Sequence, residues 1–426
     1  MGYIKNFETL AINHERRVVL ELIESALASI QPQKILAANF VLRDNFLAIG
    51  RSPAVNLEDF ERIFLVGFGK GSAKISSIIE EVLGEKLTDG WVIDVSEEAL
   101  LRIKFTLGTH PLPSQANIDF TNKVVEKLSG LTEKDLVIIV TCGGGSVMFE
   151  KPYKFTLEKM IDINQVLLHS GADINEMNTV RKHLDIVKGG DFAKIIYPAT
   201  VFNLIFSDVP GNDLSVIASG PTVRDKTSIE DALNVLKKHN LEDKLMLERS
   251  DFIESPKEDK YFEKVNNILM ISNDTALKAM KQKAIDMHFS VKIFSDRFQA
   301  DATEAGKKLI DETPPQSILV VGGETSLKVK GDGEGGRNQH LVLASLPYIK
   351  YGVVIASFDS DGWDNTPACG AIADFQTIDK AKSHNLDFKK YVDENDSFAF
   401  FKEVGDAILT DRLPSNVSDL MIVLKK

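Results

Sequence analysis

Apolar and polar positions follow two rhythms along this chain. Up to residue 50 the rhythm is helical. After Asn13, a residue suited to capping, Val19, Ile23, Ala26 and Ile30 recur three or four positions apart and make one stripe. A second helix is expected over 34–49, closed by Gly50. From residue 62 short continuous apolar runs alternate with helical stretches. The runs at 62–66, 91–95, 103–107, 136–140 and 201–206 suit buried strands. Helices are expected between them, over 73–83, 118–128, 157–169 and 174–184. Such alternation builds parallel βαβ units, with helices on both faces of a sheet. A helical and then heavily charged stretch over 227–259 contains Ser255-Pro256 and marks a boundary near 245–262. A second α/β series follows, with strands expected over 268–271, 291–294, 318–321, 326–330, 353–357 and 420–424. Its helices are expected over 275–287, 300–309 and 338–346. The chain therefore divides into two α/β domains, 1–250, with its N-terminal helices over 12–50, and 260–426.

Composition narrows the setting. At 426 residues the chain is too long for one ordinary core, and 43% hydrophobic with 26% charged residues is the balance of a soluble globular protein. A net charge of -12 argues against nucleic acid or an anionic membrane as partner, and an anionic substrate would need positive charge concentrated locally. Cys142 and Cys369 stand outside any CxxC and cannot make a disulfide framework, which fits a reducing compartment. The N-terminus lacks a basic-then-apolar signal pattern, Asn6 stands where a myristoylation signal wants Ser or Thr, and no apolar run approaches the roughly 20 residues of a bilayer span. A cytoplasmic protein is expected, and a homodimer is compatible with the sequence.

The candidate chemistry sits at the carboxyl ends of the expected strands, where open α/β sheets bind ligands. In VFNLIFSDVPGNDLSVIASGPTVRD (201–225) an apolar run breaks into Asp208 and turn residues, and Ser219-Gly220-Pro221-Thr222 makes a second turn. IFLVGFGKGSAK (63–74) passes from strand to helix through Gly67 and Gly69, which would let a phosphate approach the backbone. Ser72 replaces the third glycine of a dinucleotide fingerprint, and Asp94 would be that motif's ribose acid. Lys70 in the turn does not fit a cofactor pyrophosphate; a transferred phosphoryl group or a substrate carboxylate would use it. LVIIVTCGGGS (136–146) runs into Gly143, Gly144 and Gly145, an entropically costly triplet suited to a nest of amides around an anion. Cys142 reads as core filler. Arg181 shares an apolar helical stripe with Met177 and Leu184, while Lys182 and His183 fall on other faces and read as surface. Arg337 and Asn338 open a helix after GDGEGG, where an arginine opposes the helix dipole unless an anion accompanies it. Asp359, Asp361 and Asp364 in FDSDGWDNTPACG are out of register for an EF-hand but leave room for Mg2+. Glycine turns, a lysine, two arginines and acids after strands are the parts of a phosphoryl-transfer site.

Together these stretches resemble the glycerate 2-kinases that end in a MOFRL domain. The similarity runs from about residue 62 to the end. It rests on GFGKGSA (67–73), THPLP (109–113), GGGS (143–146), SGADINEMNTVRKHL (170–184), KGG (188–190), SDVPGND, SGPT, GGET (322–325), GEGGRNQ (333–339) and DG followed by ACGA. The resemblance implies ATP- and Mg2+-dependent phosphorylation of D-glycerate at its 2-hydroxyl. It implies a Rossmann-like first domain with a mainly parallel sheet, and an active site in the cleft between two domains. By matching motif, Lys70, Asp208 and Arg337 would be catalytic. Arg181, Ser146, Asn338 and Glu324 would bind substrate. Gly67, Gly69, Gly143, Gly144, Gly145, Ser219 and Gly220 would surround the cofactor, with Asp208 and Asp361 as metal ligands. The chain departs from the family at Ser114, at Asn365 where a glycine is usual, and over 411–419, which reads DRLPSNVSD. Two other readings compete: a NAD(P)H-dependent hydroxypyruvate reductase, motivated by Gly67, Gly69 and Asp94, and a non-catalytic binder of phosphorylated metabolites.

Overall fold

A computed structural model describes residues 2–209 and 211–426. Met1 and Pro210, the proline of SDVPGND, lie outside the described residues. The chain forms two compact units, one of residues 35–270 and one of residues 1–34 with 271–426.

In the first unit the expected helix over 34–49 is cut short. A helix runs Pro32–Asn39 and is followed by a hairpin of β1 (Phe40–Arg43) and β2 (Phe46–Ile49), with β3 (Val55–Asn56) added at its edge. Leu47 and Ile49 are buried while Phe46 is exposed, a period of two that no helix can satisfy. Asp44 makes the turn at φ 54°, a left-handed conformation that Asp tolerates.

The main sheet contains β4 (Arg62–Phe68), β5 (Asp89–Asp94), β6 (Ile103–Leu107), β7 (Asp135–Thr141), β8 (Thr200–Phe206) and β9 (Val265–Ile271), in the order β6-β5-β4-β7-β8-β9. From β6 through β8 every pairing is parallel. Strand β7 is buried along its whole length, and β4 and β8 along all but their first residue, which explains their unbroken apolar runs. Phe149 locks the helical layer to the sheet, stacked on Phe68 at 4.4 Å and edge-on to Phe192 at 4.8 Å. The chain builds outward from β4 to β6, then restarts on the other side with β7. The β4/β7 pair is therefore the topological switch point, and its carboxyl ends carry the two glycine-rich turns. The strand expected at 268–271 as the start of the second series is the end of β9, beside β8 in this first sheet.

The second unit contains β10 (Ser290–Phe298), β11 (Ser317–Gly323), β12 (Val353–Asp359), β13 (Ala368–Ala373), β14 (Ala407–Leu409) and β15 (Asp419–Lys425), ordered β10-β11-β15-β12-β13-β14. Only β10 and β11 run parallel. The final strand, β15, inserts between β11 and β12, antiparallel to both. Residues 326–330 form no strand beyond a single bridge of Ser326 to Asp301. The helix His14–Ser29 belongs to this unit, although the division at 250/260 put it with the first domain. Asn13 caps it by accepting the Arg16 N–H at 2.8 Å, and Val18, Val19, Leu22, Ile23, Ala26 and Leu27 are all fully buried. Arg16, also fully buried, donates to both oxygens of Asp406 (2.7 and 2.9 Å), to Asp374 (2.9 Å) and to Thr377 (2.7 Å). A buried guanidinium needs such partners, and the latter half of the chain supplies them.

Candidate active site

Strand β4 ends in Gly69, Lys70 and Gly71, and the helix Ser72–Leu83 begins at once. Gly69 sits at φ 103°, and a Cβ there would lie 2.5 Å from the Cys142 carbonyl oxygen, so only glycine fits between the two turns. The turns are joined by backbone bonds: Lys70 N–H to Gly143 O at 2.8 Å, and Cys142 N–H to Phe68 O at 3.0 Å. Lys70 is exposed, while Gly67 is buried within β4. Gly143 meets the carboxylate of Asp208, which comes from the end of β8: a Cβ on Gly143 would lie 2.5 Å from Asp208 Cγ. Gly144 touches His110, Gly145 packs on Phe68 and Ala218, and Ser146 is half-buried in the short helix Gly145–Met148. The predicted Lys70, Gly69, Gly143–Gly145, Ser146 and Asp208 are thus brought together by one pair of turns.

Two neighbouring groups are ruled out of chemistry. The Cys142 thiol is buried, and burial, then the charges of Asp94 and Asp208, push its pKa well above the usual value, so it is no nucleophile. Asp94 is buried and accepts the N–H groups of Ala73 (3.0 Å) and Val95 (2.7 Å). It caps the helix that a dinucleotide pyrophosphate would need, and burial lifts its pKa against those bonds.

The helix Ile174–Lys182 opens on a capping box made by Asp173 and Glu176. Arg181 is half-buried and donates to Asn164 at 2.6 Å; burial lowers its pKa, and the Glu150 charge opposes that. Lys182 and His183, expected at the surface, are buried. Lys182 pairs with Asp225 at 3.2 Å, and His183 contacts Ile253 O at 2.9 Å and Asp225 at 3.5 Å. Asp225 stays below the usual carboxylate range: burial alone would raise it, but bonds from Thr227 and the Lys182 charge win. Lys188 of the KGG stretch is buried between Asp185 (2.9 Å) and Glu150 (3.5 Å). Gly189 and Gly190 donate their N–H groups to the carbonyls of Ser219 and Gly220, both at 2.9 Å. Those bonds pin a run of left-handed residues, Ala218, Ser219 and Gly220 at φ 50°, 58° and 62°, of which only the last is glycine. Strain of this kind persists only where surroundings enforce it. Only the Lys188–Asp185 pair is local; Lys182 meets Asp225 and Lys188 meets Glu150 across 43 and 38 positions, which leaves no pattern in the sequence.

In the second unit Arg337 starts the helix Arg337–Ser345. Its anions are the chain's own: Asp419 at 2.7 Å, Glu324 at 2.8 Å and Asp359 at 3.8 Å. Burial works against the guanidinium charge, but Asp419 and its acidic neighbours outweigh it and raise its pKa. Asn338 is fully buried. It donates to Asp419 (2.8 Å), and its oxygen accepts from Ser357 (2.5 Å). Asp364 caps the helix by accepting the N–H groups of Asn338 and Gln339 (3.2 and 2.9 Å). Burial pushes its pKa up to about 6 against the pull of those bonds. Asp359 is held well above the usual range by burial, then by Asp361 and Asp419. Asp361 is half-buried and accepts the Trp363 N–H at 2.8 Å. A cleft of about 570 Å³ lies here, lined by Glu324, Arg337, Asp359, Trp363, Asp364 and Asn365 among others. Asn365, where the family resemblance puts a glycine, adopts φ 55°, a left-handed conformation that Asn tolerates. Among the described residues no group of three or more His, Cys, Asp or Glu side chains is arranged to hold a metal.

The family described as "Domain of unknown function (DUF4147)" matches residues 18–254, and the MOFRL family matches residues 317–419. A D-glycerate 2-kinase of Thermotoga maritima is 34% identical, over 96% of this chain and 98% of its own. A glycerate 2-kinase of Picrophilus torridus is 31% identical over 99% of both chains. Among solved structures, a glycerate kinase from Thermotoga maritima aligns with a TM-score of 0.85 at 32% identity, covering 96% of this chain and 99% of that one.

Proposed function

Because the chain belongs to the glycerate 2-kinase family that joins a DUF4147 region to a MOFRL region, we propose that it moves the γ-phosphoryl group of ATP to the 2-hydroxyl of D-glycerate. The observation that carries this reading is the Gly143–Gly145 loop, with Asp208 against it and Lys70 bonded to it. The loop amides bind phosphate oxygens, and Lys70 offsets their charge. As the glycerate oxygen bonds to the γ-phosphorus, the bond from that phosphorus to the ADP oxygen breaks. The hydroxyl proton goes to Asp208. Arg337, held in place by Asp419 and Glu324, is the further cationic residue that the family motif assigns to catalysis. Arg181 has a half-buried guanidinium and binds the glycerate carboxylate, which offsets the cost of its burial.

Mg2+ in such sites takes one or two carboxylates and fills its remaining positions with phosphate oxygens and water. Each of the half-buried acids Asp208 and Asp361 would suit such a limited donor set in its own unit. The ion would supply positive charge that spreads the charge of the transferred phosphoryl group. No described helix is long and apolar enough to cross a membrane; the use of ATP as donor and two cysteines outside any disulfide framework support a cytoplasmic setting.

The reductase alternative loses its main support, because Asp94 is spent on the backbone of its own helix. The test is ADP release from ATP, Mg2+ and D-glycerate, with the product's phosphate position read by phosphorus NMR. Asp208→Asn and Lys70→Ala should each lower kcat by about 10²-fold or more with the melting temperature kept. A near-normal rate for Asp208→Asn removes it from the base role. NADH oxidation with hydroxypyruvate, without ADP release from glycerate, sinks the kinase reading.

A further inference from the structure

His110 lies in the THPLP stretch, and the mechanism above gives it no part. Its half-buried imidazole stands against the glycine loop: a Cβ on Gly144 would lie 2.9 Å from its Cδ2 and 3.2 Å from its Nε2. Gly144 follows Gly143, against which the Asp208 carboxylate rests. Consecutive glycines of one loop are therefore touched by a carboxylate and an imidazole from elsewhere in the chain. Lys70, bonded through its N–H to Gly143 O, is close enough for its charge to act on the ring. Burial first, and Lys70 second, hold the imidazole below its ordinary pKa. Near pH 7 it is therefore neutral, with one N–H to donate and one lone pair. A second cation at this point would repel Lys70. A neutral donor avoids that cost.

We propose that His110 is a catalytic residue, donating a hydrogen bond from Nε2 to an oxygen of the phosphoryl group held on the Gly143–Gly145 loop during transfer. This rests on the kinase reading. The imidazole proton stays on the ring throughout; the hydroxyl proton goes to Asp208, and the bond from phosphorus to ADP breaks as the bond to glycerate forms. Donors aimed at the charge that develops in the transition state act mainly on kcat.

The experiment compares full-length His110→Ala and His110→Gln with the parent enzyme by ADP release and thermal melting. His110→Ala should lower kcat about 10²-fold with KM for glycerate changed less than about 3-fold, and His110→Gln, which restores an N–H donor, should recover at least a tenth of the parent rate. A kcat for His110→Ala within 3-fold of the parent overturns the proposal. So does a loss of rate that follows a lowered melting temperature and is not recovered by His110→Gln. A second readout does not depend on turnover. The His110 imidazole signals, assigned by their loss in His110→Ala, should shift when a non-hydrolysable ATP analogue with Mg2+ is added to the parent protein. Unchanged signals overturn the contact. Should the parent release no ADP with glycerate, the kinase reading fails on its own, and the signal shift still decides whether His110 meets a phosphate.

Discussion

Replacing Gly143 by alanine adds one methyl group where the glycine loop meets the Asp208 carboxylate. The new Cβ would lie 2.0 Å from Asp208 Oδ2 and 2.5 Å from its Cγ, whereas real Cβ contacts essentially never fall below 3.0 Å. The carboxylate must therefore retreat by at least 1.0 Å. The obstructing atoms are the end of a side chain, and Gly143 is not in the left-handed region, so the backbone has no cause to move. Fold and melting temperature should survive nearly unchanged. Catalysis should not, because a misplacement of about 1 Å at a reacting group costs about 10²-fold in rate. The assay is steady-state ADP release over a range of glycerate concentrations, beside a melting curve and a circular dichroism spectrum. We expect kcat to fall about 10²-fold and the melting temperature to shift by less than about 3 °C, equivalent to roughly 1 kcal/mol for a unit the size of residues 35–270. A kcat within 3-fold of the parent would refute the claim that Asp208 acts from its place beside Gly143. A collapse of the melting temperature would show that the loop cannot yield at the side chain.

Two stability predictions probe buried charge. Arg16→Met leaves buried Asp374 without its cation and Asp406 with Lys380 alone, and should cost about 3 kcal/mol in denaturant unfolding; a loss under about 1 kcal/mol would mean that the N-terminal helix is not anchored by these ion pairs. Asp191 is buried with Oδ2 unpartnered, and burial pushes its pKa up to about 8. The unfolded chain loses this proton near pH 4 and the folded chain near pH 8, so between them the folded state binds more protons and stability falls as pH rises. Asp191→Asn removes that slope: its melting temperature relative to the parent should climb from pH 5 to pH 8, and a difference that stays flat across this window would refute the assignment.

Some of this protein is legible in its sequence. The apolar runs of β4, β7 and β8 announce themselves because a parallel strand is buried on both faces and needs no polar alternation. The glycine turns after β4 and β7 were readable for a related reason: glycines just beyond a buried strand seldom serve anything but close backbone approach. Local chemistry likewise betrayed the Asn13 cap. Where two states compete over a few residues, the pattern misled. Residues 40–49 suit a helix by composition, but burial on alternate sides makes them a hairpin. The short strand Ala368–Ala373, built from small residues, gave no signal.

What the chain's own order of residues settled is the class of fold and the places where backbone amides, Lys70, Asp208 and Arg337 emerge, since these depend on periodicity and on turn chemistry within a dozen neighbours. Tertiary structure alone decided the partners. It set Arg16 on Asp406 and Arg337 on Asp419, buried Lys182 and His183 that looked solvent-facing, and brought His110 to Gly144. Charge pairing and burial are properties of distance in space, and residues separated by 34, 82 or 390 positions in sequence carry no local trace of it.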